Sequence, residues 1–164
     1  GQLARQGESI PGLQAALSAL PYHHRTFPKS LANDWVVDVL WPLVNESQGS
    51  VKDKLYTFCQ FLANQIHQSL GQACQQNKLV PGPRKVLVTG GGARNIFLLE
   101  TLRKLPQDDQ FPLGYEVPES PIGDLKEAAM VALSALHRTL RQSNVFASAT
   151  GAKRDTVNGA LYLP

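Results

Sequence analysis

The run Val86-Leu-Val-Thr-Gly-Gly-Gly-Ala-Arg-Asn95 decides how this chain is read, because a short β-branched segment stops at three glycines and a helical pattern follows at once. A strand, a tight turn and a helix start are predicted in that order. Three glycines remove every side chain at the bend, so a ligand can approach main-chain N–H groups while the next helix offers its positive end. A nucleotide suits such a place. The standard signatures are not met: a G-x-G-x-x-G reading from Gly90 requires glycine where Asn95 stands, and no G-x-x-x-x-G-K-[ST] occurs. The other reading is an ordinary strand-to-helix turn whose glycines only permit tight packing.

Outward from the turn, 164 residues suit one domain with a sizeable core, and 43% hydrophobic with 18% charged residues is ordinary for a soluble globular protein. The longest nearly apolar stretch, residues 128–136, is about half the length a bilayer requires. No leader is apparent, and the abrupt polar start leaves room for an upstream region. Net charge is +3 from 16 basic and 13 acidic residues, scattered without a basic stripe, so nucleic acid is not an expected partner. The pairs Arg84-Lys85, Arg103-Lys104 and Lys153-Arg154 read as solvated ends of elements. Cys59 and Cys74 fall in one predicted helix, where a rise of roughly 22 Å forbids a bridge. Without C-x-x-C or Cys/His spacing, no zinc site is expected and a reducing, cytoplasmic setting follows. His23, His24, His67 and His137 are not spaced as a metal set.

Apolar spacing predicts a short helix over residues 9–20, ended by Pro21. A second follows over residues 31–44, with Leu31, Trp35, Val36, Val39, Leu40 and Leu43 on its apolar face and Asn33 or Asp34 as cap. The longest helix, residues 50–76, carries Val51, Leu55, Phe58, Leu62, Ile66, Leu70 and Cys74 on one stripe, and Gly71 weakens without breaking it. Pro81-Gly-Pro83 stops the pattern before a buried parallel strand over residues 85–89. A helix over about 93–105, a second strand over 112–117 and a mostly buried helix over 123–141 complete the order. The class is α/β with right-handed crossovers, and so short a sheet implies the latter half of a larger α/β domain.

Asp124-Leu-Lys-Glu127 could aim a carboxylate from a helix N-terminus into a cleft, and D-x-x-E is equally a capping box. The loops Phe27-Pro-Lys-Ser30 and Ser148-Ala-Thr-Gly-Ala-Lys153 suit anion contact or plain turns.

Pro28-Lys29-Ser30 before the Trp35 helix, Val88-Thr-Gly-Gly-Gly-Ala-Arg-Asn95, Asp124-Leu-Lys-Glu-Ala128, Ala149-Thr-Gly-Ala152 and Gly159-Ala-Leu-Tyr162 together resemble the C-terminal half of the anhydro-N-acetylmuramic acid kinase family. That family lies in the sugar kinase, heat-shock ATPase and actin superfamily, and the likeness covers nearly the whole chain. It implies a C-terminal part of an actin-like (ribonuclease H-like) ATPase domain, helix-rich with a short parallel sheet. It implies a kinase that opens the 1,6-anhydro bond of a cell-wall sugar and phosphorylates it with ATP and Mg2+ in peptidoglycan recycling. Gly90, Gly91, Gly92 and Ala93 would then contact adenosine and phosphate, with Asn95 nearby, and Glu127 would face the sugar. Roles for Lys29, Ser30 and Thr150 do not follow. The family's phosphate loop and the D-T-G-P-type segment with its general-base aspartate, both in the N-terminal lobe, are absent here. The whole chain, residues 1–164, is thus expected to be one lobe that does not turn over substrate alone. Its partners would be the sugar and the other lobe, with a homodimer left open. Ser148-Ala-Thr departs from the commoner Ser-Val-Thr. A non-catalytic or chaperone-like actin-fold module, or a free-standing interaction domain of amphipathic helices, are the other readings.

Overall fold

The computed structural model describes residues 1–25, 29–119 and 122–162. The chain divides into two compact units, Gly1–Val117 and Pro118–Pro164.

The first unit is organised around α4 (Val51–Gln76). Its start is written in the sequence: the Ser50 side chain accepts from the Asp53 amide, and the Asp53 carboxylate takes the Ser50 amide in return. Asp53 also accepts from the Glu8 amide at 2.8 Å, and these hydrogen bonds hold its pKa below the ordinary value. At the other end the Leu79 amide reaches back to the Cys74 carbonyl, and Lys78 takes φ +50. The helix is therefore ended by a left-handed turn, before Pro81.

The single apolar stripe expected for α4 is buried only in part, and burial extends beyond it. Of the stripe, Cys74 is buried and Phe58, Leu62 and Leu70 pack half-buried against the core, whereas Val51, Leu55 and Ile66 are exposed; Thr57, Cys59, Phe61 and Ala63, off the stripe, are buried too. Residues two apart on a helix point about 200° apart, so this set marks two opposite faces. Phe61 packs with Leu13 and Leu17 of α1 (Pro11–Ser18), with Leu40, Leu43 and Val44 at the edge. Ala63 joins Leu98, Leu102, Leu113 and Tyr115 in a second cluster, and Cys59 joins Ala4 and Phe97 in a third. A helix packed on both sides loses the one-faced pattern that periodicity detects. Gly7 lets the 3-10 turn Ala4–Gln6 lie against α4, since a Cβ there would fall 2.2 Å from the Lys52 carbonyl oxygen.

The second predicted helix forms as α2 (Asn33–Trp35), a π-helical segment Val36–Leu40 and α3 (Trp41–Glu46). Pro42 has no N–H to donate, and the wider turn immediately precedes it. Neither Asn33 nor Asp34 caps it, because the N-cap is Ala32, without a side-chain bond. Among its apolar residues Leu31, Val36 and Val39 are exposed.

Strands β1 (Arg84–Leu87) and β2 (Leu113–Glu116) pair in parallel, Arg84 opposite Leu113 and Leu87 opposite Glu116. Leu113 and Tyr115 are buried, but β1 alternates half-buried with exposed positions and is not the buried strand predicted. Only one of its faces meets α4 and α5 (Ile96–Lys104). Arg84 is not simply solvated: its guanidinium lies 5.9 Å from the Phe111 ring centre and donates to the Val80 carbonyl. The fold is thus α/β, helix-rich, with a two-stranded parallel sheet.

The second unit holds α6 (Ile122–Thr139) and the short α7 (Ala147–Thr150). Asn144 ties its loops, donating to the Ser134 and Asn158 carbonyls and accepting from the Asn158 amide. Arg138 donates to the Gly159 carbonyl at 2.7 Å, anchoring the Gly159-Ala-Leu-Tyr162 end. The expectation that this helix is mostly buried fails: Leu125, Met130, Val131, Leu133 and Leu136 are all exposed. Its apolar composition was read correctly, but among the described residues of its own unit no layer covers it. No helix among the described residues is long and apolar enough to cross a membrane.

Candidate functional site

The glycine turn lies where the strand-to-helix reading places it, with one correction. The expected helix from Ala93 does not start there. A 3-10 turn, Gly91–Arg94, comes first, and α5 begins at Ile96 with Asn95 as its N-cap. The turn exists because Gly90 takes φ 75 and ψ −166, a combination only glycine adopts without strain. The chain thereby leaves the sheet sharply, and the Ala93 and Asn95 amides close back onto the Gly90 and Gly92 carbonyls.

Those two closures leave the middle of the turn open. Gly90, Gly91 and Gly92 are exposed, and the Gly91 and Gly92 amides donate to no partner among the described residues. A methyl group built on either glycine would meet no non-neighbouring atom within 4 Å. Bare amide donors in open space beside a positive helix end suit an anionic oxygen such as a phosphate.

Asn95 is used inside the fold at both ends of its amide. Its Oδ1 accepts from the Leu98 amide at 3.2 Å, and its Nδ2 donates to Cys59 Sγ at 3.8 Å. Cys59 is buried, and desolvation pushes its thiol pKa up, a rise that the Asn95 bond opposes. Beside the turn opens a cleft of about 660 Å³ whose lining includes Arg5, Arg94, Ile96, Phe97 and Glu100. Arg5 pairs with Glu100 at 2.7 Å across it. Neither Cys59 nor this cleft was found from sequence. Residues 59 and 95 stand on different elements, and no local pattern announces that they meet.

Glu127 belongs to the second unit, on α6. Its side chain is exposed and makes no hydrogen bond or ion pair among the described residues. The capping-box alternative is corrected: α6 begins at Ile122, so Asp124 sits inside the first turn and not at the cap. The Thr150 hydroxyl donates to the Phe146 carbonyl, and the Ala147 amide is taken by Asp155 at 2.8 Å. Lys29 lies 5.1 Å from the Tyr22 ring centre and donates to the His23 carbonyl, and Ser30 is exposed. Phe27 and Pro28 lie outside the described residues. Among the described residues no three His, Cys, Asp or Glu side chains converge as metal ligands.

Comparison with known proteins adds a whole-chain result. A family model described as anhydro-N-acetylmuramic acid kinase matches residues 1–164. Curated proteins bearing that name are similar to the chain. The one from Variovorax paradoxus is 33% identical over 172 residues, covering 99% of this chain and 42% of the relative. Those from Chromobacterium violaceum and Hydrogenovibrio crunogenus are 34% and 32% identical, across 99% and 100% of the chain and 43% of each relative. The chain thus spans less than half the length of these relatives.

Proposed function

Because the chain belongs to the anhydro-N-acetylmuramic acid kinase family and matches its C-terminal half, we propose that it is the nucleotide-binding lobe of an ATP-dependent sugar kinase. The substrate in this reading is 1,6-anhydro-N-acetylmuramic acid, recovered during peptidoglycan recycling. The single observation that carries the nucleotide site is the exposed 90–93 turn, with the Gly91 and Gly92 amides unengaged among the described residues.

These residues fit a phosphate. Gly90, Gly91, Gly92 and Ala93 would hold ATP, which with Mg2+ supplies the transferable phosphoryl group. The turn contributes fixed N–H dipoles that stay aimed while charge shifts on the phosphates, which favours transfer without reorganisation. Gly91 and Gly92 also leave the nucleotide room that any side chain would fill. Glu127 offers an exposed carboxylate to a sugar hydroxyl. The general base and the phosphate loop belong to the family's other lobe, so catalysis requires both lobes. A cytoplasmic setting is part of the same proposal, and the free cysteines Cys59 and Cys74 suit it.

The test is ATP affinity in the full-length protein carrying Gly91→Asp. The carboxylate would occupy the open space and repel phosphate, so affinity should fall at least tenfold. Unchanged affinity would overturn the site assignment.

A further inference from the structure

A turn of three glycines has no side chains to hold it, and its backbone is the most entropic of any sequence. Something outside the glycines must fix where its amides point. On the strand side this is the sheet, since the Val88 amide donates to the Glu116 carbonyl at 2.8 Å. On the helix side Asn95 does this. The Asn95 amide closes on Gly92, its carbonyl accepts from Leu99, its Oδ1 caps Leu98, and its Nδ2 reaches Cys59. With the oxygen committed to Leu98, the nitrogen can point only at the thiol. Cys59 in turn cannot move: it is buried on α4 among Ala4, Phe97 and Tyr56.

We infer that Asn95 and Cys59 are positioning residues that moor the glycine turn to α4 and hold its free amides ready for a nucleotide's phosphates, an inference that rests on the nucleotide assignment above. Asn95 then acts through the turn and touches no substrate. The moored turn binds without first being ordered, which is where the affinity gain arises.

The test uses the full-length protein with Asn95→Ser, Cys59→Ala and the double variant. Serine still caps α5 but is too short to reach the thiol, so the fold is retained and only the mooring is lost. Two readouts are taken: hydrogen exchange at the Ala93 and Asn95 amides without nucleotide, and the equilibrium Kd for ATP. Each single variant should speed exchange and weaken ATP about fivefold, and the double variant should be no weaker than either. Thermal unfolding alone would not separate this from a merely structural role. Unaltered exchange, or unaltered ATP affinity, or additive losses in the double variant, would overturn the inference. Gly91→Asp in parallel separates the two readings. If it leaves ATP binding intact, the nucleotide assignment itself has failed; if it abolishes binding while Cys59→Ala and Asn95→Ser do not weaken it, only the mooring has.

Discussion

Gly90 shows how much of this site depends on a single backbone conformation. Its φ of 75 with ψ −166 is closed to residues bearing a Cβ. Gly90→Ala should therefore lower stability by about 1–3 kcal/mol in urea unfolding, whereas Gly91→Ala, in open space, should stay within about 0.5 kcal/mol. Equal effects at the two positions would contradict the geometry. Tyr115 offers a second residue-scale measurement. It is buried, its hydroxyl lies 2.9 Å from His67 Nδ1, and desolvation raises its pKa from 10.0 to about 12. A raised pKa means the folded chain holds the phenol proton more tightly than the unfolded one. This contribution to stability is complete below pH 10.0 and is lost as the pH rises through about 12. An ultraviolet titration should show a late tyrosine step that Tyr115→Phe removes.

Helix ends decide how far the elements could be read. Apolar spacing places the start of α4 at residue 50, one residue from Val51, and the structure shows the capping box of Ser50 and Asp53 that fixes it there. Its end is placed at Gln76 as well, and what the sequence did not announce is the turn that makes it, because Lys78 occupies the left-handed position that glycine usually fills. Lys78→Gly should consequently stabilise the chain by roughly 0.5–1 kcal/mol, read as a raised unfolding midpoint. A loss of stability would mean that the lysine side chain contributes something beyond the turn. The same limit applies after the glycines. A 3-10 turn and a true cap at Asn95 separate sheet from helix, and nothing in Gly-Gly-Gly-Ala-Arg-Asn distinguishes that from a helix starting at once.

Across the molecule, stability rests on α4 as the common wall of three clusters. Phe61 is only 2% exposed, so Phe61→Ala should cost about 3–5 kcal/mol and unfold the first unit cooperatively. On α6, Val131 is 70% exposed in this chain, and Val131→Ser should change its stability by less than about 0.5 kcal/mol. A large loss there would mean that the apolar face of α6 is covered in solution. The sequence by itself determined the kinds and order of the elements, the α/β class, the glycine bend and the family, because these follow from local spacing, turn chemistry and motif order. Tertiary structure alone decided that α4 is buried on two opposite faces, that β1 is covered on one, that α6 is exposed, and that Cys59 lies behind Asn95. Periodicity records that a residue is apolar; what it meets depends on elements dozens of residues away, and that meeting is settled only when the chain packs.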